Sequence, residues 1–200
     1  MRRTLYLTRH GETDWNREMR WQGHTDIALN AQGRAQARGL ADRLDGLGIA
    51  RIMASDLARA RETAEIVAQR LGVPEVHVDH RLRERSFGVF EGLTRSEVAL
   101  RYPKEWADYQ DDKHVTPPGA EPHALVVARV RAALLDVATS PFGEAPALIV
   151  SHGGALRVLL AAVTGQIIPP VPNAAVYELH VEGHHFSPAR LLEASPVSAA

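Results

Sequence analysis

The segment Leu5-Tyr6-Leu7-Thr8-Arg9-His10-Gly11 decides the fold predicted for this chain of 200 residues. Its short apolar run is ended by charged residues and a glycine, which is the pattern of a buried strand that stops abruptly. The strand therefore carries an arginine and a histidine to its carboxyl end, where open α/β sheets bind their ligands. Glycine lets a ligand approach the backbone closely, and the guanidinium group of Arg9 matches a fork-shaped anion such as phosphate.

A second histidine follows a second apolar run. The run Ala147-Leu148-Ile149-Val150 leads into Ser151-His152-Gly153-Gly154, where the glycines open a helix. Unpaired N–H groups and the helix dipole at such a terminus favour an anion. A tight strand-to-helix turn would also need glycine, but it does not explain His152. The sequence therefore predicts an anion site where His10 and His152 meet.

Composition narrows the class of function. The formal net charge of −1 argues against nucleic-acid binding through bulk electrostatics, and the absence of cysteine excludes disulfides, thiol catalysis and cysteine metal sites. Hydrophobic residues at 45% and charged residues at 24% are typical of a soluble globular protein. No apolar stretch has the length of a membrane span or of a signal-peptide core. We therefore expect a cytoplasmic protein that binds neither nucleic acid nor membrane.

Strands that alternate with helices predict an α/β fold: a three-layer sandwich with a mostly parallel central sheet and helices on both faces. Predicted strands cover residues 5–7, 51–54, 76–78, 147–150, 176–181 and 190–192. Predicted helices cover residues 30–47, 57–71, 94–101, 122–138 and 154–163, and residues 13–27 are expected to form a loop.

The length of the chain is enough for one domain over residues 1–200 with a full core. Residues 83–118 have no strong period and are rich in aromatic side chains, which predicts a lid or specificity insert within that domain. The tail after Leu192 is expected to be disordered.

Two further charged residues are candidates for the same site. Arg59 falls in the first turn of a helix that follows a strand, where a cation is unfavourable unless a bound anion offsets it. Ser55 and Asp56 are expected to cap that helix. Glu84 lies among arginines, so it forms either an exposed ion pair or a carboxyl group held beside a cationic pocket for proton transfer.

These motifs together resemble those of the histidine phosphatase superfamily, in its phosphoglycerate-mutase-like branch. The resemblance covers roughly residues 4–165, with the motifs in the order of the family. The matching residues are Arg9-His10-Gly11-Glu12-Thr13, Trp15-Asn16, Gly23, Asp26, Leu29, Gly33, Gln36-Ala37, Ser55-Asp56-Leu57, Arg59-Ala60, Thr63-Ala64, Glu84, Gly88, Glu91-Gly92, Tyr102-Pro103 and Ser151-His152-Gly153. The chain departs from the family at Gly119-Ala120-Glu121-Pro122, where Gly-Gly-Glu-Ser is common.

The resemblance implies a phosphomonoester hydrolase that works through a phosphohistidine intermediate. In that mechanism His10 is the nucleophile, and Arg9, Arg59 and His152 clamp the phosphoryl oxygens. Glu84 protonates the leaving oxygen and then activates the water that hydrolyses the intermediate.

The resemblance also implies further contacts to the substrate, from Asn16, Gln22, Gly23 and the backbone of Gly153. No metal and no cofactor are implied. The expected partner is a small-molecule phosphate ester, bound by a monomer or a homodimer.

A metal site is the main alternative from the residues alone. His10, His152 and Glu84 make up a set of two histidines and one carboxylate, a combination that binds transition metals. Arg9 and Arg59 count against it, because fixed positive charge repels a divalent cation and attracts an anion.

Two other functions stay open within the resemblance. A cofactor-dependent phosphoglycerate mutase would need basic residues in the lid that grip a second anion, and the stretch after Phe87 offers only Arg95, Arg101, Lys104 and Lys113. Its aromatic residues suit a bulkier or less charged leaving group, which favours hydrolysis. A non-catalytic module that binds phospho-ligands is the second alternative.

Overall fold

A seven-stranded sheet forms the centre of the computed structural model, which describes residues 2–112, 115–140 and 145–192. The strands are β1 (Arg2–Arg9), β2 (Arg51–Ala54), β3 (Val76–Val78), β4 (Ala147–Ser151), β5 (Val176–Glu182), β6 (His185–Phe186) and β7 (Arg190–Leu192). The helices are α1 (Asp14–Arg17), α2 (Ala31–Leu44), α3 (Ala58–Leu71), α4 (Arg95–Arg101), α5 (Pro103–Asp111), α6 (His123–Thr139) and α7 (Gly153–Thr164). The tail predicted to be disordered lies outside the described residues.

The sheet is parallel through its buried centre. Its strands lie in the order β3-β2-β4-β1-β5, and both β6 and β7 pair with the outer edge of β5. The first four strands are mutually parallel, and β5 runs antiparallel to β1. All five residues of β4 are buried, as expected for a central parallel strand that reads as a continuous apolar run. The mostly parallel sheet is confirmed, with an antiparallel edge added after β5.

Helices cover both faces of this sheet. Side chains of α2 and α3 such as Leu40, Leu44 and Val67 pack on one face, while α6 and α7 pack on the other through side chains that include Leu134 and Leu156. Each buried leucine or valine contributes about 1.5–3 kcal/mol through removal of its surface from water. The predicted three-layer α/β sandwich is confirmed.

The segment between β1 and α2 is less irregular than the sequence suggested. Residues 13–27 were expected to form a loop, but they contain the short helix α1. A capping box starts it, in which the Thr13 hydroxyl accepts from the Asn16 N–H and the Asn16 side chain accepts from the Thr13 N–H. The turn holds Asn16 close to the end of β1.

The expected cap of α3 was wrong. The carboxylate of Asp26 accepts from the N–H of Ala58 at 2.7 Å and caps the helix from another part of the chain. Ser55 instead accepts from the N–H of Leu57, and Asp56 forms an ion pair with Arg83. The loop that precedes α2 is thereby tied to the start of the helix that carries Arg59.

In the described part of residues 83–118 there are two α-helices, α4 as predicted and α5, which was not. Their aromatic side chains pack on one another around the buried Phe90 and Val98. The rings of Trp21 and Phe87 lie 4.6 Å apart, and those of Trp106 and Tyr109 are stacked 6.2 Å apart. These aromatic residues therefore form their own apolar cluster outside the two core layers.

No helix in the described part of the chain is long and apolar enough to cross a membrane.

Candidate active site

The two strand-end histidines meet at the carboxyl edge of the sheet. β1 pairs with β4 in a register that places Arg9 opposite Ser151, and the N–H of His10 donates to the carbonyl of Ser151 at 3.0 Å. The ring centroids of His10 and His152 are 5.1 Å apart, with their planes at 61°. Both rings are buried, with exposed fractions of 2% and 0%. The predicted meeting of the two imidazoles is present.

One hydrogen bond determines which nitrogen of His10 carries the proton. Nδ1 lies 2.6 Å from the carbonyl oxygen of Gly11, and a carbonyl can only accept, so Nδ1 donates and Nε2 holds the lone pair. Burial above all, and then the charges of Arg59 and Arg9, lower the pKa of His10 well below its ordinary value. His10 is therefore neutral at neutral pH and keeps a lone pair on Nε2.

Of the two arginines beside His10, Arg59 is buried and Arg9 is half-buried, and both are partly unsatisfied among the described residues. Arg59 is fully buried, and its Nη1 and Nη2 donate to the carbonyls of Thr25 and Gly23 at 2.9 and 2.8 Å. Arg9 donates through Nη1 to the carbonyl of Val171 at 2.8 Å. The Nε atom of each arginine is buried without a hydrogen-bond partner among the described residues.

Such atoms indicate a ligand, because buried donors in native proteins are nearly always paired. His152 adds to them, since neither of its ring nitrogens has a partner in the part of the chain that the structure describes. Burial, followed by the charge of Arg59, lowers the pKa of His152 well below its ordinary value, so the ring is neutral and offers one N–H. Arg9, Arg59 and His152 thus fit a tetrahedral anion.

Glu84 is held at the start of α7. Its Oε2 accepts from the N–H of Gly154 at 2.9 Å, and its Oε1 accepts from the N–H groups of Ala155 and Arg85 at 2.7 and 2.8 Å. A methyl group on Gly154 would lie 2.7 Å from Oε1, so the carboxylate needs glycine at this position. The expectation that the N–H groups at this terminus bind the anion was wrong for Gly154 and Ala155, because Glu84 already satisfies them.

The sequence left two roles open for Glu84, an exposed ion pair or a carboxyl group beside a cationic pocket, and its position decides between them. Its side chain is buried, and among the described residues it forms no ion pair. The charge of Glu84 nevertheless raises the pKa values of Arg9 and Arg59 against the larger effect of burial. Glu84 is therefore a carboxyl group held beside a cationic pocket.

The loop that carries Glu84 is clamped by Arg129 of α6, a residue that the sequence analysis did not identify. Nη1 of Arg129 donates to the carbonyls of Arg81 and Arg83, both at 2.7 Å, and Nη2 donates to the carbonyl of Glu84 at 2.9 Å. Glu121 holds the guanidinium group in turn through two hydrogen bonds of 2.7 Å. The backbone of Glu84 is thus fixed from a neighbouring helix.

A cavity of about 320 Å³ opens in front of these groups. Seven of the predicted site residues line it: Arg9, His10, Asn16, Gln22, Gly23, Arg59 and Glu84. His152 and Gly153 do not line it. His152 is fully buried next to His10, and Gly153 lies against Arg9, since a methyl group there would be 3.2 Å from the Cδ of Arg9. The remaining walls come from residues that were not among the predicted site residues: Trp15, Met19, Arg20, Trp21, Phe87 and Arg95.

Asn16 is joined to His10 through a second asparagine. The amide nitrogen of Asn173 donates to the carbonyl of His10 at 3.0 Å and to Oδ1 of Asn16 at 3.3 Å. Asn173 lies in the loop before β5 and was not among the predicted residues. It holds the end of β1 and Asn16 together.

Gln22 and Gly23 form the opposite wall. Oε1 of Gln22 is buried without a partner among the described residues, and the carbonyl of Gly23 accepts from Arg59. Gly23 has a φ of +53°, and a methyl group there would lie 2.0 Å from Oε1 of Glu91, so only glycine fits. Gln22 thus presents its amide to the cavity on a rigid turn.

The arrangement does not match a metal centre. Within residues 2–112, 115–140 and 145–192, no group of three or more histidine, aspartate or glutamate side chains is placed to hold a metal ion. Both carboxylate oxygens of Glu84 accept from backbone N–H groups, and the charges of Arg59 and Arg9 lower the pKa values of both histidines.

The fold and the site define an α/β protein with a phosphate-type anion site built on two histidines. The chain matches the family model described as the histidine phosphatase superfamily (branch 1) over residues 5–193, and it belongs to that family. A probable phosphoglycerate mutase GpmB of Enterobacter sp. (strain 638) is 43% identical over 166 residues, which are 80% of this chain and 74% of that protein.

Two solved structures have the same fold. A mycobacterial glucosyl-3-phosphoglycerate phosphatase in complex with VO3 has a TM-score of 0.84 and 32% identity, covering 96% of this chain and 100% of that one. Bacillus stearothermophilus YhfR has a TM-score of 0.83 and 37% identity, covering 92% and 93%. The chain is an enzyme of the histidine phosphatase type.

Proposed function

We propose that this protein hydrolyses a small phosphorylated metabolite, a phosphomonoester, through a phosphohistidine on His10. One observation carries the proposal. The Nδ1–H of His10 is bound to the carbonyl of Gly11, so the lone pair lies on Nε2, beside three side chains whose buried nitrogens have no partner among the described residues. Those side chains are Arg9, Arg59 and His152.

The first chemical step transfers the phosphoryl group to His10. Nε2 attacks phosphorus, the bond between phosphorus and the ester oxygen breaks, and the leaving oxygen takes a proton from Glu84. In the second step water attacks the phosphohistidine, Glu84 takes a proton from that water, and the electron pair of the P–N bond returns to Nε2. Phosphate leaves, and both residues regain their starting states.

Catalysis in this scheme comes mainly from positioning and electrostatic stabilisation, as is general for phosphoryl transfer. Arg9, Arg59 and the N–H of His152 stabilise the equatorial oxygens as charge develops on them. Asn16, Gln22, Gly23 and Gly153 are proposed as minor substrate contacts. No metal or cofactor takes part, so activity undiminished by EDTA is expected, and loss of activity that a single metal restores would contradict the scheme.

The aromatic walls of the cavity in front of His10, formed by Trp15, Trp21 and Phe87, favour hydrolysis over mutase activity. Of the four basic residues after Phe87 considered for a mutase, Arg95 lines this cavity, Arg101 is exposed at the end of α4, Lys104 pairs with Asp108, and Lys113 lies outside the described residues. The relative named as a probable phosphoglycerate mutase makes mutase activity the second candidate. Residues 83–118 are proposed as the lid of a single domain, and cytoplasmic localisation stays a prediction.

A substrate panel with rapid quench tests the proposal. Phosphorylated metabolites are supplied with and without 2,3-bisphosphoglycerate, and labelled phosphohistidine is trapped. His10→Ala should abolish turnover and labelling, and Glu84→Gln should slow turnover by about 10²–10⁴-fold. His77→Ala, on the exposed edge strand β3, is the matched control. Wild-type turnover in His10→Ala would refute the nucleophile, and isomerisation that requires the bisphosphate would establish the mutase.

A further inference from the structure

A second and larger cavity adjoins the active site. It has a volume of about 890 Å³ and shares three lining residues, Trp21, Phe87 and Arg95, with the cavity in front of His10. Its size is in the range of pockets that enclose a drug-sized ligand. We call it the adjacent cavity.

The walls of the adjacent cavity are apolar on the side of α6 and α7. Val127 of α6 and Val158 and Ala161 of α7 line this side, with Trp106 on the α5 side. Burial against such a surface stabilises an apolar ligand by roughly 4-fold for each buried CH₂ group. A short polar alcohol gains little from these walls.

The charge in the adjacent cavity is positive. Arg85, Arg95 and Arg157 line it, and no aspartate or glutamate is among its described lining residues. Arg85 is 2% exposed, and its Nη2 is buried without a partner among the described residues, as is Nε1 of Trp21. Two donors are therefore unsatisfied where an acceptor or anion would pair with them.

The three cations act on one phenol, that of Tyr109, which lines the same cavity. Burial raises the pKa of Tyr109, the charges of Arg85, Arg157 and Arg95 oppose that rise, and the charge of Glu84 adds to it. All three guanidinium groups are thus close enough to act on one phenol. Arg85 is buried, Arg95 and Arg157 are exposed, and all three border the same cavity.

We propose that the adjacent cavity holds the leaving group of the substrate, and that this group is an amphiphilic anion with an apolar body and an anionic end. The proposal rests on the proposed function, since it extends the phosphate site into its neighbour. Trp21, Phe87 and Arg95 border both cavities, and the body of the ligand lies along α7. The anionic end, a carboxylate or a second phosphoryl group, pairs with Arg85 and Arg157.

The test compares kcat/KM for four phosphomonoesters: ethyl phosphate, octyl phosphate, 8-(phosphonooxy)octanoate and octane-1,8-diyl bisphosphate. Octyl phosphate should exceed ethyl phosphate by at least about 10-fold. A carboxylate or phosphoryl end should add about 10-fold or more, the range of a charge-assisted hydrogen bond. The better of the last two esters identifies the anion.

Three variants and one control show which residues of the adjacent cavity act on the leaving group. Arg157→Ala should lower kcat/KM for the esters with an anionic end by about 10-fold more than for octyl phosphate, and Arg157→Lys should restore part of it. Val158→Trp should reduce the advantage of every eight-carbon ester over ethyl phosphate. Arg38→Ala, an exposed arginine of α2, should change none of these ratios.

Equal kcat/KM for ethyl and octyl phosphate would overturn the apolar part of the proposal. An equal effect of Arg157→Ala on all four esters would overturn the anionic part. Calorimetry with the non-hydrolysable 9-phosphonononanoic acid tests the adjacent cavity separately from the proposed hydrolase activity. Binding that weakens in Arg157→Ala, without turnover of any ester by the wild type, would refute the hydrolase and leave the cavity assignment standing. Absence of binding would refute the cavity assignment.

Discussion

Replacing Arg59 with glutamine removes one buried cation from the anion site and keeps a polar side chain there. The Nε of Arg59 is unpaired among the described residues, and its other two nitrogens hold the carbonyls of Thr25 and Gly23. We expect kcat/KM to fall about 10²–10³-fold, the usual effect of removing one preorganised donor from developing negative charge.

The variant should still fold, because two effects on stability oppose each other. The carbonyls of Gly23 and Thr25 lose charge-assisted hydrogen bonds, at about 1.5–3 kcal/mol each. Burial lowers the pKa of Arg59 to about 10, which corresponds to roughly 3 kcal/mol of cost for holding the cation in the free protein. Glutamine removes that cost. The free energy of unfolding should therefore decrease by about 0–3 kcal/mol, and Tm by no more than about 10 °C.

The same substitution should shift the pH dependence of activity. The charge of Arg59 is the largest effect after burial among those that lower the pKa of His10. Without that charge the pKa of His10 rises relative to the wild type, so the imidazole is protonated at a higher pH. A protonated ring has no lone pair on Nε2, and the acidic limb of the kcat/KM profile should therefore move to higher pH.

The assay measures kcat/KM across the acidic and neutral range for the wild type, Arg59→Gln and Arg61→Gln. Arg61 lies on the same helix, is exposed and pairs only weakly with Glu65 at 3.6 Å, which makes it a matched control. A loss below about 3-fold in Arg59→Gln relative to Arg61→Gln, or an acidic limb that does not move, would refute the assigned role of Arg59.

Two further predictions concern the ligand and the acid. Orthovanadate at 100 times its Kd should stabilise the wild type by about 2.7 kcal/mol, which is a Tm increase of roughly 5–11 °C in differential scanning fluorimetry. The same concentration should raise the Tm of His152→Leu much less. Equal Tm increases for the two proteins would contradict the assigned anion site. Arg129→Met should slow hydrolysis of alkyl phosphates by at least about 10-fold more than that of 2,4-dinitrophenyl phosphate, whose leaving group needs no proton from Glu84. Equal losses for the two esters would show that Arg129 does not position the acid.

The parts of the site that follow from element order were predictable. His10 and His152 each come directly after an apolar run, and the carboxyl ends of parallel strands meet at one edge of the sheet. The position of Arg59 was also predictable, because its helix begins just after the carboxyl end of β2. Ring orientation and the tautomer of His10 were not, since both depend on the contact with the Gly11 carbonyl.

Contacts between distant segments could not be predicted. Asp26 caps α3 across 32 residues, and Arg129 reaches the carbonyl of Glu84 across 45 residues. Neither separation produces a periodic signal in the sequence, because the partners meet only after the helices pack on the sheet. The contact of Asn173 with the end of β1, across 163 residues, could not be predicted for the same reason.

The helix α5 is a different case, since its sequence does carry a local signal. Pro103 stands in the first turn, where proline is favoured, and Lys104 and Asp108 are spaced as an i, i+4 pair. The helix is only nine residues long, and Tyr102 both ends α4 and starts α5. Two short helices that share a boundary residue have no period long enough to stand out.

The cap that Glu84 places on α7 has a practical consequence for watching the enzyme at work. The amide protons of Gly154 and Ala155 point directly at the two carboxylate oxygens. Their nuclear magnetic resonance frequencies should respond whenever Glu84 gains a proton, loses one or turns toward a ligand. Two backbone amides thus act as built-in reporters on the carboxyl group of Glu84, and no probe has to be attached to the substrate or the protein.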